Sequence, residues 1–450
     1  METALRQAFA STSSGFFPLR IADLMRKHGL GRDRAGIVAR RLARIARNDK
    51  SNYERARAFH AGAAAWFAWA GDSVSRYKET LLEVETLLAE ADQLPGPGGL
   101  PGMQAADRLE RALRALRTIP KTEREDLGVG GLAASIARRI REAGAAALGE
   151  MRAFSSGPID LTTAATESRD RVKDLSVEEA LLAFVGLSGF ASFNSEREEA
   201  EKTIKEHPLQ SIFGNVHFST DGRVIYRSAG RGGTPIYGVD PALWRQMIQR
   251  YSLRINFLST GALWPAFQQI TNQHHLGLSD FLVICAESGV VPVDRITQFA
   301  RGLFYGYCGD FSSAMQLLVP QIENTVRNHL ANAGDATSTV TPEGLELEVG
   351  LSALMDRQNV EEVFGEDLAF EIRALLCGPL GPNLRNEVAH GLINDATAGG
   401  AYGLYCWWFA LRLVYLPFWN RVHDADAADG REPRKPEDFR DEMAEESPVE

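Results

Sequence analysis

Cysteine is scarce in this 450-residue chain. Cys285, Cys308, Cys377 and Cys406 are scattered, and no two form a Cys-x-x-Cys pair. That spacing argues against a zinc ribbon or a disulfide scaffold and fits buried thiols in a reducing cytoplasm. The first twenty residues, METALRQAFASTSSGFFPLR, lack a continuous apolar core, so they do not read as a secretory signal, and a cytoplasmic location is the expectation. A phosphate loop ending in Gly-Lys-Ser/Thr is missing too. The run Gly230-Arg231-Gly232-Gly233 continues into Thr234-Pro235 instead of a helix and reads as a mobile loop. With no metal-ligand spacing and no nucleotide fingerprint, neither a cofactor nor a metal is expected.

Long apolar runs are rare as well. The exception is residues 401–419, which include Trp407, Trp408, Phe409, Leu411, Leu413, Val414 and Leu416. Their length only reaches the low end of the roughly 17–25 residues a membrane span needs. Arg412 lies past the middle of the stretch and Pro417 near its end. A lone arginine is costly in a bilayer, whereas a helix apolar on all sides is what the centre of a bundle requires. The stretch therefore reads as a buried core helix, and no membrane span is expected.

What is present is ordinary for a folded protein: 44% hydrophobic and 24% charged residues, enough apolar surface to exclude wholesale disorder. The length suggests two or three domains. The net charge of −10 is unevenly spread. Residues 424–450 carry 11 acidic and 4 basic side chains, while residues 20–57 carry 12 basic and 4 acidic ones. The basic stretch reads first as a solvated helical face, and it permits a nucleic-acid partner without arguing for one.

The expected architecture is mainly α. Residues 1–94 form helical hairpins or an array, with a break at Leu30-Gly31-Arg32-Asp33 and a Gly71-Asp72 turn between two antiparallel helices. No 34-residue period supports a solenoid of repeats. Residues 95–207 form a second helical region interrupted by Gly/Pro linkers, PGPGGLPG among them. In residues 208–254, Val216, Phe218, Val224 and Tyr226 alternate around Thr220-Asp221-Gly222, which predicts a small β-hairpin near 214–228. Residues 255–422 read as a C-terminal helical bundle, with helices expected over 318–330, 346–355 and 367–376. The acidic residues 423–450 read as a disordered tail.

The informative stretch is Asn383-Leu384-Arg385-Asn386-Glu387-Val388-Ala389-His390-Gly391-Leu392. Asn383 is a candidate helix cap, Leu384, Val388 and Leu392 recur as a buried stripe, and Gly391 supplies a left-handed stop. Asn386 and His390 are i, i+4 neighbours, with Arg385 on the same exposed flank. Imidazoles titrate near neutrality and can move the proton of a ribose 2′-hydroxyl. A guanidinium holds phosphate oxygens and stabilises the charge that builds on phosphorus. With the 2′-hydroxyl as nucleophile, no metal is required. A structural alternative stays open, in which Arg385 caps the Gly378–Gly381 loop and His390 bonds a helix-end carbonyl.

The pattern Arg-Asn-x-x-x-His-Gly resembles the active-site motif of the HEPN superfamily of helical nucleotide-binding domains. The longer pattern, Asn-Leu-Arg-Asn-x-x-x-His-Gly-Leu, looks like the Arg-Asn-x-x-x-His-Gly signature family, which includes an endoplasmic-reticulum-membrane-associated RNA-degradation protein. The resemblance takes in the upstream LLVPQIENTVRNHL and the downstream aromatic helix, so it covers roughly residues 255–420. It implies a HEPN-like helical bundle that pairs with a second copy as a homodimer and acts on RNA as an endoribonuclease, in a toxin or defence role. By motif position Arg385 and His390 would be the catalytic pair. Asn386 would orient His390 or the phosphate, and Glu323 would support them from a facing helix. The alternative function is a non-catalytic helical scaffold or sensor that only dimerises through this bundle.

His274-His275, Ser259-Thr260-Gly261, Ser288-Gly289 and the Tyr305, Tyr307, Cys308 cluster lack the context of a metal, nucleophile or redox site and read as packing or turns.

Overall fold

A computed structural model describes residues 2–49, 52–94, 101–150, 157, 159–212, 214–218 and 224–428. The Thr220-Asp221-Gly222 turn, most of the PGPGGLPG linker, and residues 429–450 of the acidic tail lie outside the described residues. The chain divides into two compact units, residues 1–155 with 218–225, and residues 156–217 with 226–450.

Among the described residues, the first unit is helical apart from its short share of a hairpin. It contains α1 (Glu2–Ser11), α2 (Phe17–Lys27), α3 (Ala35–Asn48), α4 (Tyr53–Trp69), α5 (Ser73–Asp92), α6 (Pro101–Arg117), α7 (Lys121–Asp126) and α8 (Leu132–Glu150). Local chemistry fixes the boundaries. Gly31, at φ 80°, takes the left-handed turn that ends the first segment, and the Asp72 carboxylate caps α5 by accepting from the Ser75 N–H. Phe59, Ala63 and Trp66 of α4 pack against Ala39 and Leu42 of α3. A second cluster joins Val84 and Leu87 of α5 to Leu109, Ala112 and Leu116 of α6.

The second unit begins with α9 (Thr162–Val172), α10 (Val177–Val185), α11 (Phe193–Glu206) and α12 (Leu209–Ile212). Strands β1 (Asn215–Phe218) and β2 (Val224–Ser228) form the expected two-stranded sheet. Then follow α13 (Pro241–Leu258), a π-helical turn (Ser259–Leu263), α14 (Trp264–Gln273), α15 (Leu278–Ser288), α16 (Ile296–Tyr307) and α17 (Phe311–Asn332). A second antiparallel pair, β3 (Ser338–Val340) and β4 (Glu346–Glu348), pairs Ser338 with Glu348 and Val340 with Glu346. The chain closes with α18 (Leu351–Leu354), α19 (Val360–Phe364), α20 (Glu366–Leu376), α21 (Leu384–Ala389), α22 (Asp395–Ala398) and α23 (Ala401–Ala428).

One continuous core runs from Val172 to Tyr415. Residues 172–200 therefore share the core of the C-terminal bundle, and the boundary read at 254/255 falls inside α13. The physical reason is α10. Its faces carry Ala180, Leu181, Ala183, Phe184 and Val185, all buried, and the Trp408 indole N–H donates to the Phe184 carbonyl at 3.0 Å. The helix expected over 346–355 is replaced by β4 and the single turn of α18. Leu345, Leu347 and Val349 alternate there with Glu346 and Glu348, the period of a strand. Residues 423–428, expected to belong to a disordered tail, are helical, because α23 runs on to Ala428.

Helix α23 is the axis of this unit. Tyr405, Cys406, Trp407, Trp408, Phe409, Ala410 and Leu411 are all buried. Arg412 places its guanidinium 4.2 Å from the centre of the Phe190 ring and 5.4 Å from that of Trp408, so aromatic faces take the cation. No described helix is long and apolar enough to cross a membrane. Gly306 of α16 lets α23 approach closely: a Cβ at that position would collide with the Trp407 ring. The Trp407 indole N–H in turn donates to the Leu303 carbonyl at 2.9 Å.

Candidate functional site

Helix α21 is six residues long and anchored by Leu384 and Val388, which are buried. Leu392, expected as the third member of that stripe, is 47% exposed. The helix stops at Ala389 and Gly391 turns left-handed at φ 63°, which takes Leu392 off the stripe. Asn383 does not cap the helix with its side chain. It adopts a left-handed conformation itself, at φ 49° and ψ 39°, which asparagine tolerates better than most residues.

From this short helix Arg385 reaches Glu323 in the middle of α17. Its Nε donates to Glu323 Oε2 at 2.7 Å and its Nη2 to Oε1 at 3.4 Å. The contact joins residues 62 positions apart, so it fixes α21 against α17. Glu323 is 13% exposed and Arg385 35% exposed. The hydrogen bond to Glu323 raises the Arg385 guanidinium still further above the ordinary arginine range. One edge of the guanidinium is thus engaged, and the partial exposure leaves donors for another oxygen anion.

A second arginine holds the same carboxylate. Arg327 Nη2 donates to Glu323 Oε1 at 3.2 Å and to the Val349 carbonyl at 2.7 Å. Its Nη1 donates to the Thr337 carbonyl at 3.1 Å and to Glu348 at 2.7 Å. Arg327 therefore pins the β3–β4 hairpin to α17 and orients Glu323 toward Arg385. Gly350 follows that hairpin, and a Cβ placed on it would lie 3.4 Å from Arg385 Nη2. The i, i+4 spacing of Glu323 and Arg327 is visible in the sequence. The part of Gly350 is not, since nothing local marks it as a neighbour of residue 385.

His390 is exposed at the C-terminal end of α21, with its backbone N–H bonded to the Asn386 carbonyl at 3.1 Å. Among the described residues its ring and the Asn386 amide side chain make no hydrogen bond. Glu323 and Arg385 are thus brought together, and His390 with Asn386 stands apart from that ion pair. The proposed capping of the Gly378–Gly381 loop by Arg385 is not what the guanidinium does.

Cys377 is close enough to feel both Glu323 and Arg385, and burial pushes its thiol up to about 12, so it is no nucleophile at neutral pH. Elsewhere, the Tyr307 hydroxyl donates to the His274 carbonyl at 2.7 Å, consistent with packing at the end of a helix. Among the described residues no group of three or more His, Cys, Asp or Glu side chains is placed to hold a metal ion. The Ser259-Thr260-Gly261 segment forms the π-helical turn between α13 and α14, which sequence spacing did not reveal. The Ser259 hydroxyl there donates to the Ala401 carbonyl at 3.1 Å, joining the turn to the start of α23. Compared with models of known protein families, with curated proteins and with solved structures, this chain has no match.

Proposed function

We propose that the C-terminal unit is an endoribonuclease that cleaves RNA by attack of the ribose 2′-hydroxyl, with Arg385 and His390 as its catalytic pair. The observation that carries this reading is the contrast between the two side chains. Arg385 is oriented by Glu323 at 2.7 Å while remaining partly open to solvent, and His390, five residues on, is exposed and unengaged among the described residues. The imidazole takes the 2′-hydroxyl proton, the guanidinium stabilises the dianionic phosphorane, and the imidazolium gives its proton to the departing 5′-oxygen as the P–O5′ bond breaks, leaving a 2′,3′-cyclic phosphate and a free 5′-hydroxyl. Asn386, one turn before His390, has its side-chain amide available for a phosphate oxygen. Glu323 and Arg327 position Arg385 and do not touch the substrate.

Helix geometry favours a site shared by two copies. Residues five apart on an ideal helix point about 140° apart. Arg385 of one copy meets a phosphate together with the histidine of a second copy more readily than with its own, which is the homodimeric arrangement this reading requires.

The test is cleavage of single-stranded RNA by the purified chain in EDTA. Arg385→Ala and His390→Ala are each expected to lower the rate at least a hundredfold with unchanged circular dichroism. Cleavage undiminished in both variants sinks the assignment. A second reading, a scaffold or sensor that dimerises through the same bundle, is favoured by the depth of Glu323: its ion pair alone accounts for Arg385 by tying α21 to α17. Under that reading the same substitutions change melting or dimerisation, and no RNA is cut.

A further inference from the structure

The N-terminal unit carries a cavity of its own. An open pocket of roughly 550 Å³ lies between α4, α5 and α6, a size suited to a small ligand. Arg57 of α4, Arg76 of α5, and Arg111 and Arg114 of α6 converge on it, and Glu83 is its one lining carboxylate. A charged helix face exposed for solubility spreads its charges outward. Here arginines from three helices line one volume, with Arg111 and Arg114 exposed at its mouth.

Two of the four are already matched. Arg57 lies 3.5 Å from Glu90, and Arg111 lies 3.0 Å from Asp107. Arg76 and Arg114 have no carboxylate within ion-pair reach among the described residues, and the Arg76 guanidinium lies 5.6 Å from the centre of the Tyr77 ring. Two unmatched guanidiniums call for a ligand with at least two negative charges, and their planar forks suit phosphate oxygens. The opposite wall is of another kind. Ala61, Ala64 and Ala68 recur along one face of α4 and end at Cβ, leaving a smooth apolar surface for a flat group. Glu83 is the element out of place: burial pushes its carboxyl up against the opposing fields of Arg57 and His60, and its charge repels any anion that enters.

We propose that this pocket binds a small phosphorylated ligand of nucleotide size, with its phosphates between Arg76 and Arg114 and its flat apolar part against the alanine face of α4. Neither Arg385 nor His390 is among its lining residues, so it stands or falls independently of the nuclease reading.

Isothermal titration of the full chain with adenosine diphosphate, inorganic pyrophosphate and adenosine tests it. The diphosphate is expected to bind more tightly than pyrophosphate, and adenosine alone to bind at least tenfold more weakly than either. Replacing both Arg76 and Arg114 by Ala should weaken the diphosphate at least tenfold. Neither arginine is ion-paired among the described residues, so the fold should persist, with an unchanged melting curve as the check. Glu83→Gln should tighten binding several-fold by removing a like charge, and Arg385→Ala should leave it unaltered. No heat with either anion, adenosine as tight as the diphosphate, or the same affinity in the double variant would each overturn the proposal.

Discussion

The contact between Glu323 and Arg385 gives the sharpest quantitative test, because the two partners are unequally buried. Glu323 is 13% exposed and accepts three hydrogen bonds, at 2.7 and 3.4 Å from Arg385 and at 3.2 Å from Arg327. Hydrogen bonds to charged groups are each worth about 1.5–3 kcal/mol. Water reaches Arg385, whose exposure is 35%, so its share is discounted by about half, toward the value of a surface pair. With the 3.4 Å bond, long for a hydrogen bond, adding little, the coupling between the two side chains then comes to about 1–1.5 kcal/mol.

The single substitutions should differ. Glu323→Ala also leaves two guanidiniums side by side, since both donate to the same Oε1, and should destabilise by about 2–4 kcal/mol. Arg385→Ala removes a half-exposed cation and leaves Glu323 satisfied by Arg327, so it should cost only about 1–2 kcal/mol. Adding Arg385→Ala to the Glu323→Ala background should cost less still, or restore some stability, because it relieves the repulsion. A urea-denaturation double-mutant cycle, followed by tryptophan fluorescence, measures all three quantities. A coupling below about 0.5 kcal/mol, or a larger loss for Arg385→Ala than for Glu323→Ala, refutes the view that Glu323 positions the arginine.

Two further predictions concern the core around α23. Gly306→Ala drives a methyl into the Trp407 ring, which is held in place by its hydrogen bond to Leu303, and should destabilise by about 3 kcal/mol in a thermal melt. The buried Glu371 carboxyl is pushed up by desolvation, and the Tyr405 hydroxyl and the Ala191 N–H at 2.8 Å oppose that shift. A carboxyl raised in the folded state binds protons more tightly there than in the unfolded chain, so stability falls as pH rises from the ordinary glutamate value through the raised one. Tyr405→Phe removes a donor to the charged form. Its effect should therefore grow as pH rises through the raised glutamate value, by about 1–3 kcal/mol once the carboxyl is charged, read from denaturation midpoints across the pH range.

Much of the helical pattern was legible because its signals are local. The Ser176-x-x-Glu179 capping box opens α10, and Asp240-Pro241 opens α13 with the aspartate accepting from the Ala242 N–H at 2.9 Å. What stayed hidden depends on distant partners. Nothing near Phe184 announces that its carbonyl will meet Trp408, 224 positions away, so residues 172–200 read as a separate helical region when they belong to the C-terminal core. Arg412 was readable as an argument against a bilayer, but its ring partner Phe190 lies across the fold. The β3–β4 hairpin is a different kind of miss. The alternation of Leu345, Leu347 and Val349 and the turn at Gly344, with φ 82°, are local features of a hairpin and prevail over the helix expected across 346–355.

The motif shows the same division at the scale of one turn of helix. Leu384, Val388 and Gly391 behave as their spacing predicts, because burial of a stripe and a left-handed stop are decided within a few residues. Asn383 and Leu392 do not, because each sits where the helix has not begun or has already ended, and a stripe extrapolated past its end loses its meaning. That early ending also bears on chemistry. Had α21 run on for another turn, His390 would sit inside the hydrogen-bonded helix with a further turn beyond it. Closed at Ala389 by Gly391, the helix leaves the imidazole at its open end, on the side of the bundle that faces water. The glycine of the Arg-Asn-x-x-x-His-Gly pattern thus does conformational work that keeps the histidine available, while the arginine is oriented from a different helix by Glu323. Two residues of one short motif are held by unrelated means, the histidine by a stop next to it in the chain and the arginine by a carboxylate 62 positions away.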